Sequence, residues 1–340
     1  MDISTLRVFV VGCGSIAQRH IYNLQSLGIK NIEAFDVQSS RRHETESRFG
    51  ISTVESMEQG WLANPQISLI ATPTSSHIPI ALEAAKHDCH IFIEKPLGNT
   101  TEGVGNLISE VKERNLITLV GCNMRFHPGL IRIKKMLEEE IIGRVHVIRA
   151  QTGQWLPDWH PWEDYRKGYS ANEELGGGVV LDQIHELDYA QWLVGSSAQQ
   201  VSCFIDKMSS LDINTEDIAA MLIRFSNGII GEVHVDYIQR VHSRSCRIIG
   251  DKGTIVWDYQ KGEVSWRVTG QDAWQTFTNP VGWDLNQMYL DEMRHFLTCV
   301  SQDEESVSNV LNGSEVLRLA LAAKSSANTG RVVDLDSIEY

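Results

Sequence analysis

The chain contains no C-x-x-C pair and no H-E-x-x-H segment. Its six cysteines, at 13, 89, 122, 203, 246 and 299, are scattered along the sequence. That scatter argues against a disulfide framework or a zinc site, and it reads as buried, reduced thiols in a cytosolic protein. Most of the twelve histidines are isolated among apolar or solvated positions, so no metal is expected. No apolar run approaches 18 residues, and Met1-Asp2 opens straight into a strand-like segment. Neither a membrane span nor a signal peptide is therefore expected. Basic residues are outnumbered 30 to 44, giving a net charge of −14. Phosphate-backbone and anionic-membrane binding need clustered basic residues, so both are disfavoured. Repeats and low-complexity segments are also missing.

What remains is ordinary globular composition, 42% hydrophobic and 22% charged, over 340 residues. That length exceeds a usual single core and predicts two domains. Residues 6–36 are the most informative. The apolar run Val8–Val11 meets Gly12-Cys13-Gly14-Ser15-Ile16-Ala17; an amphipathic segment follows, then a second apolar strand ending at Asp36. Strand, glycine turn, helix, strand and acid is the order that a dinucleotide-binding βαβ unit requires. Gly12 permits the turn, Gly14 lets the backbone approach a pyrophosphate, and Ala17 allows close packing of helix on strand. The helix start at Ser15 and Ile16 offers N–H groups and a positive dipole end to the phosphates. Asp36, 24 residues after Gly12, is suited to accept hydrogen bonds from ribose hydroxyls and to repel a 2′-phosphate. NAD(H) is thus expected over NADP(H). Arg41 and Arg42 are the residues that would hold such a phosphate; their alternative is a solvated start to the next helix.

Short apolar runs at 6–11, 31–36, 67–72, 90–94 and 117–121 alternate with helical stretches, including 16–27 and 79–86. This predicts a doubly wound parallel sheet with ligands at the carboxyl ends of its strands. Thr72-Pro73 with His77, and Glu94-Lys95-Pro96, fall at such ends. After about residue 122 the texture changes. A helix over 128–140 and a strand over 145–152 precede period-2 strands at 200–206, 217–225, 229–235, 244–250 and 253–258. Asn227-Gly228 and Asp251-Lys252-Gly253 read as hairpin turns, which implies a largely antiparallel sheet. Helical stretches at 287–300 and 313–327 close the chain. The expected domains are residues 1–122 and 123–340.

Lys95 is the sharpest catalytic candidate. A lysine between an acid and a proline at a strand end is poorly explained as a solvated charge. Near a nicotinamide cation its pKa should fall, and it can hydrogen-bond a substrate hydroxyl or carbonyl. The competing reading is a structural ion pair with Glu94. The Lys95–Pro96 bond is a candidate for the cis form. The second candidate segment is Gly176-Gly177-Gly178 followed by Asp182 and His185, which an i, i+3 spacing would put on one helix face. Histidine suits removal of a hydroxyl proton, and a nearby carboxylate can fix its tautomer. The alternative is a capped amphipathic helix with a satisfied histidine.

These motifs, in this order, resemble the Gfo/Idh/MocA oxidoreductases, the glucose–fructose oxidoreductase and inositol dehydrogenase family. The likeness spans nearly the whole chain and is most specific at Glu94-Lys95-Pro96. It implies an N-terminal Rossmann domain and a C-terminal α/β domain. The open, mostly antiparallel sheet of the latter carries substrate on one side and a subunit interface on the other. It also implies catalytic roles for Lys95 and His185, with Thr72, Pro73, His77 and Glu94 bordering the cofactor. The family commonly has four steps from its aspartate to its histidine; here Asp182 to His185 is three, and Glu186 could supply the carboxylate instead. His185 to Asp188 keeps the familiar spacing. The shorter version resembles members from surface-sugar biosynthesis, including uronic and nonulosonic acid pathways.

Residues 155–169 hold five aromatics where 8% aromatic content predicts about one. Trp155, Trp159, Trp162, Tyr165 and Tyr169, mixed with Asp158, His160, Arg166 and Lys167, suggest a polar-aromatic wall for a sugar. A loop packed over the sheet or joining subunits is the alternative. Asn123 and Arg125 are candidates for a substrate carboxylate or phosphate, against Arg125 as a domain-interface ion pair. The expectation is a cytoplasmic homodimer or homotetramer that moves hydride between NAD(H) and a secondary hydroxyl or ketone of a sugar or nucleotide sugar. An NAD-dependent glycosidase acting by transient oxidation and a non-catalytic NAD-binding sensor are the rivals.

Overall fold

A computed structural model of the chain describes residues 3–159, 161 and 163–340. They divide into two compact units, Met1–Asn123 with Leu285–Ser314 and Tyr340, and Met124–Asp284 with Glu315–Glu339. The first crossing falls one residue from the expected boundary. The return of 285–314 to the first unit was not expected, and a single cut at 122 does not describe the chain.

In the first unit the elements run β1 (Arg7–Val11), α1 (Ser15–Ser26), β2 (Asn31–Phe35), α2 (Ser39–Phe49), β3 (Ser52–Thr53), α3 (Met57–Leu62), β4 (Ile67–Ile70), α4 (His77–Lys86), β5 (His90–Glu94), α5 (Val104–Glu113) and β6 (Thr118–Gly121). The sheet order is β3-β2-β1-β4-β5-β6, all parallel. Order reverses between β1 and β4, and in open α/β sheets ligands bind at such a reversal, beyond the carboxyl ends of the strands. β4 and β6 are buried at every position, as the uninterrupted apolar runs require.

The second unit begins with α6 (Pro128–Glu138) and β7 (Val145–Gly153), followed by α7 (Val179–Asp182) and α8 (His185–Val194). Seven strands follow: β8 (Ala198–Asp206), β9 (Ile218–Phe225), β10 (Ile230–Asp236), β11 (Ser243–Gly250), β12 (Gly253–Asp258), β13 (Glu263–Val268) and β14 (Gln275–Thr278). The chain closes with α9 (Asn286–Gln302), α10 (Val310–Thr329) and β15 (Val333–Asp334). The nine-stranded order is β14-β13-β12-β11-β7-β10-β9-β8-β15. Every pair is antiparallel except β7–β10, which is parallel at the centre.

Period-2 alternation gives this sheet two unlike faces. Ile148, Val233, Met221, Cys246 and Trp257 point inward and are buried. Phe204 and Leu222 point the other way and are 84% and 58% exposed. In the first unit, α9 buries Met293, Phe296, Leu297 and Val300 in the core shared by β1, β4 and α1. The segment after α9 covers the open edge of β6: Val120 N donates to Ser308 O (2.7 Å), and Val310 N donates to Thr118 Oγ1 (3.0 Å). An otherwise unpaired strand edge is thereby protected.

Candidate active site

The glycine turn in the first unit is built around the Ala71 carbonyl and the Asp36 carboxylate. Gly12 adopts φ +105°, and a Cβ there would sit 2.4 Å from Ala71 O, so only glycine fits. At Gly14, by contrast, a Cβ would meet no described atom within 4 Å. Gly14 caps α1 without any side-chain hydrogen bond to the helix start, so the amides at Ser15 and Ile16 are left for an anion. Asp36 closes the turn: Oδ2 accepts from Cys13 N (2.9 Å) and Oδ1 from Gln38 N (2.8 Å). Each carboxylate oxygen can accept further bonds, so ribose hydroxyls remain chemically compatible. Arg42 donates to Asp36 O at 2.7 Å, and Arg41, half-exposed, lies 3.9 Å from Asp36 Oδ2.

Two buried oxygens nearby have no hydrogen-bond partner among the described residues, Thr72 Oγ1 after β4 and Asn123 Oδ1 after β6. Buried polar atoms are normally satisfied. Orphaned oxygens beyond the strand ends, an uncapped helix start and open space at Gly14 together fit a dinucleotide. Pro73 is exposed. His77 opens α4. It is 1% exposed, with Nδ1 2.8 Å from Pro96 O and Nε2 2.9 Å from Thr72 O. Burial lowers its pKa, against the raising effect of the two carbonyls. The ring thus ties the turn after β4 to the turn after β5.

Lys95 is half-buried at the end of β5, and the Lys95–Pro96 bond is cis. Glu94 beneath it is 7% exposed. Its Oε1 lies 2.5 Å from His20 Nε2, and its Oε2 accepts from Lys95 N at 3.2 Å. Burial raises the Glu94 pKa, but the His20 bond and the neighbouring Lys95 charge outweigh it and hold the carboxyl below its usual range. His20 was not anticipated. Its signal was present, because it shares the buried stripe of α1 with Ala17, Ile21 and Leu24.

In the second unit, Gly178 takes φ +103° and leads into α7. The single helix expected through Asp182 and His185 is instead two, since Gln183 and Ile184 leave the regular path between α7 and α8. Asp182 and His185 therefore do not share one continuous helix face. Asp182 is 2% exposed and accepts three hydroxyl bonds, from Tyr169, from Ser170 (2.7 Å) and from Tyr237 (3.0 Å). His185 opens α8 and is 9% exposed. Glu186 is fully buried, with Oε1 2.8 Å from Arg244 Nε. Burial raises its pKa despite that arginine. Its carboxylate is thus already engaged by a guanidinium.

Arg125 is 6% exposed, and its Nε and Nη2 grip Asp188 at 3.0 and 2.6 Å. The pair lies within the second unit and neutralises the cation expected to hold a substrate anion. In the aromatic segment, Trp155, Trp159 and Tyr165 are half-buried. Trp159 meets the Tyr237 ring edge-on at 5.4 Å, and Tyr165 Oη accepts from Asp212 N at 3.2 Å. Arg166 is exposed and held by Asp164 at 2.7 Å. His160 and Trp162 lie outside the described residues. All six thiols are buried and unbridged, and burial pushes Cys13, beside the glycine turn, up to about 11. None is poised as a nucleophile.

A parallel sheet of order 3-2-1-4-5-6, a glycine turn closed by an acid and a half-buried lysine at the strand ends define an NAD-binding oxidoreductase. Two family models agree. The NAD-binding Rossmann fold of the oxidoreductase family matches residues 6–122, and the C-terminal alpha/beta domain of the same family matches residues 134–335. The chain belongs to the Gfo/Idh/MocA oxidoreductase family, and its cofactor is NAD(H). It is similar to myo-inositol 2-dehydrogenase of Thermotoga maritima, 26% identical over 98% of this chain and 99% of that protein. It is also similar to scyllo-inositol 2-dehydrogenase (NAD(+)) of Bacillus subtilis, 24% identical over 97% and 96%. A levoglucosan dehydrogenase solved with NADH shares the fold, with TM-score 0.88 and 22% identity over 97% of this chain and 99% of that one. No described helix is long and apolar enough to cross a membrane.

Proposed function

We propose that the protein oxidises a secondary hydroxyl of a sugar, cyclic polyol or nucleotide sugar, or reduces the matching ketone. The observation that carries this reading is the Lys95 turn, whose backbone is tied through Glu94 to a buried histidine of the cofactor-side helix. Bound NAD+ supplies the hydride acceptor. Lys95 binds the reacting oxygen and stabilises negative charge on it, and His185 takes the hydroxyl proton. Gly12, Gly14, Ser15, Ile16, Asp36, Thr72 and Asn123 hold the dinucleotide, and His77 and Glu94 shape the turns that present it. Asp182 acts as a positioning residue, since its three hydroxyl partners anchor the segment entering His185. Trp155, Trp159 and Tyr165 contact the sugar. The relatives named for inositol and levoglucosan support a cyclic, hydroxyl-rich substrate.

Steady accumulation of NADH across a panel of inositols, hexoses, uronic acids and UDP-sugars tests this reading. Turnover without net NADH would instead favour the glycosidase route, and NADH binding with no turnover on any member would favour a sensor. We place the enzyme in the cytoplasm, in surface-sugar biosynthesis, as a homo-oligomer joined through the Phe204–Leu222 face. Light scattering should show a dimer or tetramer, reduced to monomer by Phe204→Glu with Leu222→Glu; a wild-type monomer would refute that assembly.

A further inference from the structure

We propose that Arg240, laid over the indole of Trp155, binds an oxyanion of the substrate, so that the preferred substrate is an acidic sugar. The proposal rests on the sugar-dehydrogenase reading above and narrows it. β7 and β10 are parallel neighbours that end together at Gly153 and Asp236. The segments leaving them stay paired, with Gln154 N donating to Asp236 O (3.2 Å) and Leu156 N to Tyr237 O (3.1 Å). This places Trp155 beside the 237–240 segment, and the Arg240 guanidinium carbon sits 3.7 Å from the Trp155 ring centroid. The same segment reaches the site. Tyr237 donates to Asp182 at 3.0 Å, three residues before His185, and packs against Trp159.

Stacking uses the face of a guanidinium and leaves its N–H edges free for in-plane acceptors. Carboxylate and phosphate both match that edge with paired hydrogen bonds. Of the other cations around these elements, Arg125 is paired with Asp188, Arg244 with Glu186, Arg166 with Asp164 and Lys324 with Glu216, while Lys167 is exposed and has no ion pair among the described residues. Arg240 has no carboxylate within ion-pair distance among the described residues. The two undescribed members of the aromatic segment, His160 and Trp162, carry none. Arg240 is thus a cation without an internal acid, stacked on an aromatic face in a chain with 44 acidic residues against 30 basic ones, and its open guanidinium edge suits an acid brought by the substrate.

Matched sets in gluco, galacto and manno configuration test this: the hexuronate, its methyl ester, the hexose 1-phosphate and the neutral hexose. Wild-type enzyme should favour an acidic member over its neutral counterpart at least tenfold in kcat/KM. Arg240→Gln, an exposed change, should raise KM at least tenfold for that acid alone, with kcat and NADH affinity little altered. Preference for the hexuronate over ester and phosphate identifies a carboxylate; preference for the 1-phosphate identifies a phosphate. Equal or better use of the neutral hexose by wild type, or equal losses on acid and ester in the variant, would overturn the proposal and leave the dehydrogenase reading standing. Where no member is turned over, calorimetry with the enzyme–NADH complex decides. Acid-selective binding lost in Arg240→Gln supports the proposal, and binding without charge preference, or none, refutes it.

Discussion

His20 Nε2 lies 2.5 Å from Glu94 Oε1, a buried contact between the cofactor-side helix and the turn that carries Lys95. With the carboxylate as acceptor, Nε2 carries the hydrogen, and the bond is charge-assisted. Removing His20 leaves a buried carboxylate with the Lys95 amide as its remaining hydrogen-bond donor, and breaking such a buried pair typically costs about 3–5 kcal/mol. His20→Ala should therefore destabilise the protein by about 3 kcal/mol or more in urea denaturation. Glu94→Gln in the same chain should recover part of that loss, since the pair is coupled. A loss in His20→Ala below about 1 kcal/mol would show that the contact matters little.

Asp36 holds the Cys13 amide of the glycine turn and the Gln38 amide just after β2 with its two oxygens. An amide in its place turns one acceptor into a donor facing an N–H. Asp36→Asn should weaken NADH binding about tenfold or more and narrow the preference over NADPH, as fluorescence titration would read. Wild-type enzyme binding NADPH tenfold more tightly than NADH would contradict the assignment of this carboxylate.

Much of the first unit was legible because its signals are local. A glycine turn, apolar runs and an acid at a fixed distance specify strand ends to within a residue or two. The second unit depends more on distant partners. Parallel pairing of β7 with β10 joins segments about 80 residues apart, and alternation alone reports only that each strand has two faces. Arg125 looked available to substrate because nothing in its neighbourhood announces Asp188, 63 residues later. The amphipathic pattern of α9 was plain, but it cannot say which core it joins. The break between α7 and α8 follows three glycines without any breaker of its own, so the sequence reads as one helix.

His127 makes stability depend on acid. It caps α6, its Nδ1 accepting from Gly129 N at 3.0 Å, and its ring is enclosed by Trp257, Tyr259 and Trp283. Burial, aided by Arg244, lowers its pKa from 6.5 to about 3. Between those values the unfolded chain binds a proton that the folded chain does not, so stability falls as pH drops through that window. At about 1.4 kcal/mol per unit the full effect is roughly 4–5 kcal/mol. Asn keeps a cap acceptor and removes the titration. Urea denaturation from pH 7 to 4 should give a shallower acid slope for His127→Asn than for wild type; equal slopes would exclude this histidine as the cause.

The central claim is that one ammonium and one imidazole of this chain share the chemistry on a substrate hydroxyl. The most direct measurement is single-turnover and steady-state NADH formation by Lys95→Ala and His185→Ala, with NADH affinity measured alongside. Each variant should lose at least about 100-fold in turnover, the scale of general acid–base assistance, while its Kd for NADH moves less than about threefold. Either variant retaining more than about a tenth of wild-type turnover would contradict the assigned roles.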